Sequence, residues 1–117
     1  MLSKIKEKID TAPFISFTTD AWSSKDQSHQ LLSLTAHFIN EEFVPSFFVL
    51  SASSISGRHT AENLMGILNE SLETFAIGPD RIHVVLRDAA ANMKRMTNLM
   101  SVSSMDCFAH KLQLVYF

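Results

Sequence analysis

Cysteine is almost missing from this sequence. The one thiol, Cys107, excludes an internal disulfide framework and fits a reducing compartment. Glycine is also scarce, with three in 117 residues and no Gly-x-Gly-x-x-Gly run, so a glycine-rich phosphate loop is absent. No apolar stretch approaches the roughly 20 residues needed to span a bilayer, so no membrane partner is expected. The N-terminus places Lys4, Lys6, Glu7, Lys8 and Asp10 around Leu2, Ile5 and Ile9, an amphipathic helix without the apolar centre of a signal peptide. Basic surplus is missing too: 10 Lys and Arg stand against 12 Asp and Glu, for a formal net charge of −2. A stand-alone nucleic-acid binder carries the opposite balance, so tight DNA binding would have to come from another part of the parent protein or from metal ions. There are no internal repeats and no low-complexity segments.

What is present fits one globular domain. Apolar residues make up 46% and charged residues 19%. Residues 1–13 read as the N-terminal helix and a linker ended by Pro13, and 14–117 as the domain proper. Residues 14–19, aromatic and β-branched, predict a buried strand, followed by a polar loop over 22–28. From Gln30 to Ile39, Leu32, Leu34, Ala36 and Phe38 recur at period two, a strand with one buried face. A turn at 40–42 leads to a third strand over 43–50. Pro45 has no N–H for a ladder, so that strand is expected at a sheet edge. Residues 51–58 read as a loop. Thr60 is a suitable N-cap for a helix whose apolar face is Ala61, Leu64, Leu68, Leu72 and Phe75, with Gly78-Pro79 stopping it. A short strand over 82–86, a helix over 89–100 with Met93, Met96 and Met100 inward, a polar break at 101–106, a brief strand at Cys107-Phe108 and a helix from Ala109 complete the chain.

Three meandering strands followed by crossover helices and parallel strands make a mixed α/β sheet. A doubly wound nucleotide binder and an RNase H-like fold both fit such a pattern, and the opening meander favours the second.

Two carboxylates stand at strand ends in this scheme: Asp20 after the first strand and Asp88 after the fourth. If those strands are parallel neighbours, both emerge at one sheet edge. Paired carboxylates resist joint ionisation, and a divalent cation between them removes the penalty. Oxygen ligands suit Mg²⁺ or Mn²⁺, and two such ions support phosphodiester cleavage. The plainer reading of Asp88 is a cap on the helix that follows, a common use of aspartate after a strand.

Four strings alter that balance. Residues 18–24 read TTDAWSS, 59–64 HTAENL, 86–93 LRDAAANM and 107–114 CFAHKLQL. In that order and at those separations they resemble the transposase-like domain of hAT elements and of zinc-finger BED proteins, over nearly the whole chain from Phe14. The resemblance implies that Asp20 and Asp88 are the first two acidic residues of a catalytic Asp-Asp-Glu set. It also implies that they bind Mg²⁺ or Mn²⁺. The glutamate is expected far downstream, beyond Phe117, which would leave the set incomplete and this chain inactive. Cys107 and His110 match the family's Cys-x-x-His motif. One cysteine and one histidine are too few for four-coordinate structural zinc. Cys107 is therefore read as a small packed residue and His110 as a phosphate or intrasite contact, with a buried structural histidine the equal alternative. Trp22 either stacks on a base or pins the strand–loop junction from a buried position, and the second is favoured. Lys94 and Arg95 read as a solvated helix face able to touch a phosphate backbone. Two positions depart from the family. Ala89 stands where an asparagine is usual, and Arg87 where a small residue is usual. If the strand continues, Arg87 points away from the Asp88 side.

The resemblance therefore implies part of a metal-dependent DNA cleavage and strand-transfer domain. The alternative is a domesticated nuclear protein that binds DNA or regulates transcription on the same fold without chemistry. Either would act on DNA through its parent protein, in the nucleus, with homo-oligomers formed through regions outside this chain. A doubly wound small-ligand binder is the weakest reading, for want of a phosphate loop.

Overall fold

The computed structural model describes residues 2–23, 30–40, 42–55 and 58–107. Three helices and a 3₁₀ turn accompany a five-stranded sheet: α1 (Leu2–Asp10), β1 (Ile15–Ser23), β2 (Gln30–Ile39), β3 (Pro45–Ser54), α2 (Ala61–Thr74), the 3₁₀ turn Pro79–Arg81, β4 (Ile82–Arg87), α3 (Ala91–Leu99) and β5 (Ser104–Asp106). The strand order is β3-β2-β1-β4-β5. β1–β2 and β2–β3 pair antiparallel, whereas β1–β4 and β4–β5 pair parallel. This is the mixed sheet of an RNase H-like fold, with β3 at one edge as Pro45 predicts and β1 in the centre.

Alternation splits the sheet into two faces. Ile15, Phe17 and Thr19 of β1, Leu32, Leu34, Ala36 and Phe38 of β2, and Val85 of β4 are buried beneath the helices. α2 adds Leu64, Leu68 and Leu72, and α3 adds Met93 and Met96, the stripes that helical spacing predicts. Met100 is only partly buried. α1 joins this core through the fully buried Ile9, and the Arg81 guanidinium donates to the carbonyls of Ile9 and Ala12, closing the free C-terminal end of that helix.

Several boundaries differ from the sequence-based expectation, each for a visible reason. β1 runs on to Ser23 because β2 pairs with it down to Ser23↔Gln30, so Asp20 and Trp22 lie within a strand rather than after one. β3 is displaced towards the C-terminus and extends over residues read as a loop. The Asn40 side chain accepts from the N–H groups of Glu42 and Val44, Phe43 takes a left-handed φ of 62°, and Pro45 becomes the first residue of the strand. Thr60 caps α2 by accepting from the Asn63 N–H. The helix stops at Thr74, before Gly78-Pro79. Ala76 adopts a φ of 54° while the N–H groups of Ala76 and Ile77 donate to the carbonyls of Glu73 and Leu72. That is a Schellman ending without its usual glycine, and Ser101 with Val102 repeats it after α3. The polar break at 101–106 contains β5, and the strand expected at Cys107-Phe108 is placed there instead. Phe108 and the helix expected from Ala109 lie outside the described residues.

Candidate functional site

The chemistry-bearing residues gather where the parallel pair β1–β4 ends. The register sets Thr18 beside Leu86. Asp20 and Asp88 each lie two residues further along, so they stand towards the same end of the sheet, beyond the last β1–β4 pair. Residues two apart in a strand share a face, so Asp20 continues the uncovered face of Ser16 and Thr18. Asp20 remains paired with β2 opposite Ser33 and is exposed. Asp88 directly follows β4 and is half-buried, and its Oδ1 accepts from the Ala90 N–H at 2.9 Å. It thus braces the turn into α3. Ala90 holds the N-cap position of that helix without a side-chain cap. The turn-forming and edge-carboxylate readings of Asp88 are therefore compatible in one residue.

Trp22 lies on the same face as Asp20, in register with Leu31 of β2, and is 55% exposed. The buried-pin expectation is corrected: with β1 extended, the alternation carries this indole outward. Cys107 follows β5 as a half-buried free thiol, and its N–H donates to the Arg87 carbonyl at 2.7 Å. His110 lies outside the described residues. Lys94 and Arg95 are exposed on α3, and Arg95 pairs with Glu62 of α2 at 3.0 Å. The Glu62 carboxyl is held below the usual glutamate range, first by a hydrogen bond with its own backbone N–H and then by Arg95.

Two groupings here join residues that sequence reasoning had left separate. The His59 ring meets Gln30 Oε1, while Asn92 donates to the His59 carbonyl at 2.6 Å, so the starts of β2 and α3 are tied to the segment entering α2. His59 and Asn92 stand in the quoted strings, but nothing in the sequence links them to Gln30. The second is Arg87, buried on the helix-covered face as strand alternation requires. It forms an ion pair with Asp106, its register partner on β5, and donates to Ser104 Oγ and to the Asp88 carbonyl. Thr97 of α3 meets the same Ser104 hydroxyl.

Asp20 and Asp88 are hard oxygen donors of the kind Mg²⁺ and Mn²⁺ prefer. Among the described residues, however, no three His, Cys, Asp or Glu side chains converge to hold an ion. Among the described residues, Asp20 and Asp88 do not by themselves fit a firmly held metal.

A family model described as the ZBED1 RNase-like domain matches residues 18–112, a span that opens at Thr18 and includes Asp20, Asp88, Cys107 and His110. No curated protein matches the chain closely enough to count as a relative.

Proposed function

The chain belongs to the ZBED1 RNase-like domain family, and on that footing we propose that it is the RNase H-like core of a transposase-derived protein, unable by itself to cut or join DNA. The observation that carries this reading is the parallel register Thr18↔Leu86, which aligns Asp20 and Asp88 towards one end of the sheet. In-line displacement at phosphorus needs both the attacking and the leaving oxygen clamped. Two carboxylates supply the start of such a site, and the remaining ligands would have to come from outside the described residues. Weak Mg²⁺ or Mn²⁺ association at the pair is part of the proposal, and no reaction step is assigned to the ion.

The test has two arms. Mn²⁺ added to ¹⁵N-labelled protein should broaden the amide signals around Asp20 and Asp88 first, and Asp20→Ala should weaken that effect. Labelled terminal-repeat DNA should remain intact with Mn²⁺. Metal-dependent nicking that disappears in Asp20→Ala would overturn the claim of inactivity, and broadening centred elsewhere would overturn the site.

The Arg87–Asp106 pair favours a second reading, a domesticated nuclear protein that binds DNA through its parent chain without chemistry. The residue next to Asp88 is committed to bracing β5, and Ala89 offers no amide where the family usually has one. The DNA contacts assigned to Trp22, Lys94, Arg95 and His110 belong to this proposal. Gel-shift titration of the chain should give only weak, salt-sensitive binding, consistent with its net charge of −2.

A further inference from the structure

The two edges of the sheet are protected very differently. β5 is three residues long and ends in a charged residue, Asp106, which is how natural sheets avoid pairing with other chains. β3 is ten residues long, an edge of roughly 33 Å at about 3.3 Å per residue. From Phe43 to Ser54 it carries no Lys, Arg, Asp or Glu. Two of its outward side chains are large and apolar: Phe47 is 68% exposed and Val49 60%. Among the described residues the sheet has no strand beyond it. Every second N–H and C=O of an edge strand points away from its one neighbour, and these groups are a template for another strand.

We propose that β3 is a self-association edge, and that its partner is β3 of a second copy of this chain, paired antiparallel about a twofold axis. Charge selects both partner and direction. Glu42 precedes the strand, Arg58 follows it, and both are exposed. Antiparallel pairing brings the acidic end of each β3 to the basic end of the other, whereas parallel pairing sets like charges together. A twofold arrangement uses the same patch on both copies and closes after two. Pro45 contributes no N–H, and a bulge at Leu50 twists the strand, so regular pairing falls on short stretches to either side. The interface therefore belongs to the small class, below about 1,200 Å² in total, and the dimer should be weak and concentration-dependent.

Analytical ultracentrifugation of the whole chain from about 1 μM to about 500 μM should show monomer passing to dimer, on the scale of weak complexes. Val49→Lys sets lysines of the two copies close together and should weaken the dimer about tenfold or more without changing the circular dichroism melt. Met105→Lys, on the same face but at the β5 edge, should leave the dimer intact. In parallel, amide exchange in β3 should slow as concentration rises, while that of β5 should not. Four results would overturn the proposal. These are monomer at every concentration, species larger than a dimer, a dimer lost in Met105→Lys but kept in Val49→Lys, or β3 amides that point away from β2 already slow at the lowest concentration. The last would mean that another segment of the same chain covers the edge.

Discussion

One sheet presents two surfaces of opposite character. On the helix-covered face, Ile15 and Phe17 are at most 1% exposed and share one buried core with Leu64, Leu68, Met93 and Met96. On the other, the same two central strands present Ser16, Thr18 and Asp20, then Ser33, Thr35 and His37, with Thr18 Oγ1 meeting His37 Nε2 at 3.1 Å and His37 stacked on Phe47. The helix-covered face carries the stability of the described fold. The open face carries the residues that could meet something else, with Asp20 and Trp22 both exposed on it.

The sharpest test of that contrast is a pair of adjacent substitutions. Phe17→Ala should cost about 3–5 kcal/mol in urea denaturation, because it removes a buried ring and leaves a cavity between sheet and helices. Thr18→Ala, one residue away on the open face, should cost no more than about 1 kcal/mol. Comparable losses would show that the open face is as tightly packed as the other.

Next in size is the polar seam within the covered face. Asp106→Ala leaves the Arg87 guanidinium buried without its carboxylate and should cost about 3 kcal/mol, the low end for such pairs because 24% of the Asp106 side chain is exposed. The double variant Arg87→Met, Asp106→Leu should recover most of that loss, since a well-packed apolar pair replaces a desolvated ionic one. No recovery would indicate that the charge pair holds β5 in register for a reason beyond its energy.

A smaller effect, of opposite sign, belongs to the helix ends. Ala76 holds a left-handed φ of 54°, where a glycine avoids the Cβ clash. Ala76→Gly should stabilise the protein by roughly 0.5–1 kcal/mol, read as a raised thermal midpoint. A fall instead would mean that unfolded-chain entropy outweighs the relieved strain at this site.

The least effect is expected on the exposed rim, where Glu62 meets Arg95. Because the folded-state pKa of Glu62 is lowered, its contribution is present above the unfolded glutamate pKa and disappears as pH falls through the folded value. Arg95→Ala should raise the Glu62 midpoint followed by NMR only part of the way, since the hydrogen bond with its own backbone is the larger cause. It should leave the thermal midpoint unchanged, as exposed pairs do. Full reversion would reverse the order of those two causes.

Legibility followed the range of the interactions. The alternation in β2, the apolar stripe of α2 and the Thr60 cap depend on neighbours a few residues away, and each could be read directly. Pro45 predicted an edge strand correctly because its missing N–H is a property of the residue itself. The limits of β1 and β3 were misplaced because a strand ends where its partner ends, and the partners lie far along the chain. Trp22 was misread for the same reason: four further pairs with β2 turned a supposed loop residue into an outward-facing strand residue. The site divides likewise. Asp20 and Asp88 stood out as acids in recognisable strings, though Asp20 proved to lie inside β1 rather than after it, whereas the contact of His59 with Gln30, 29 residues apart, has no local signature.

The sequence alone determined the type of each longer element and the covered face, since periodicity and capping act over one or two turns of backbone. Tertiary structure decided which strands lie side by side. That choice set Asp20 level with Asp88, paired Arg87 with Asp106 and, among the described residues, left β3 with no strand beyond it. Strand pairing is made between residues distant in the chain, and the hydrogen bonds that fix its register are the same for every sequence.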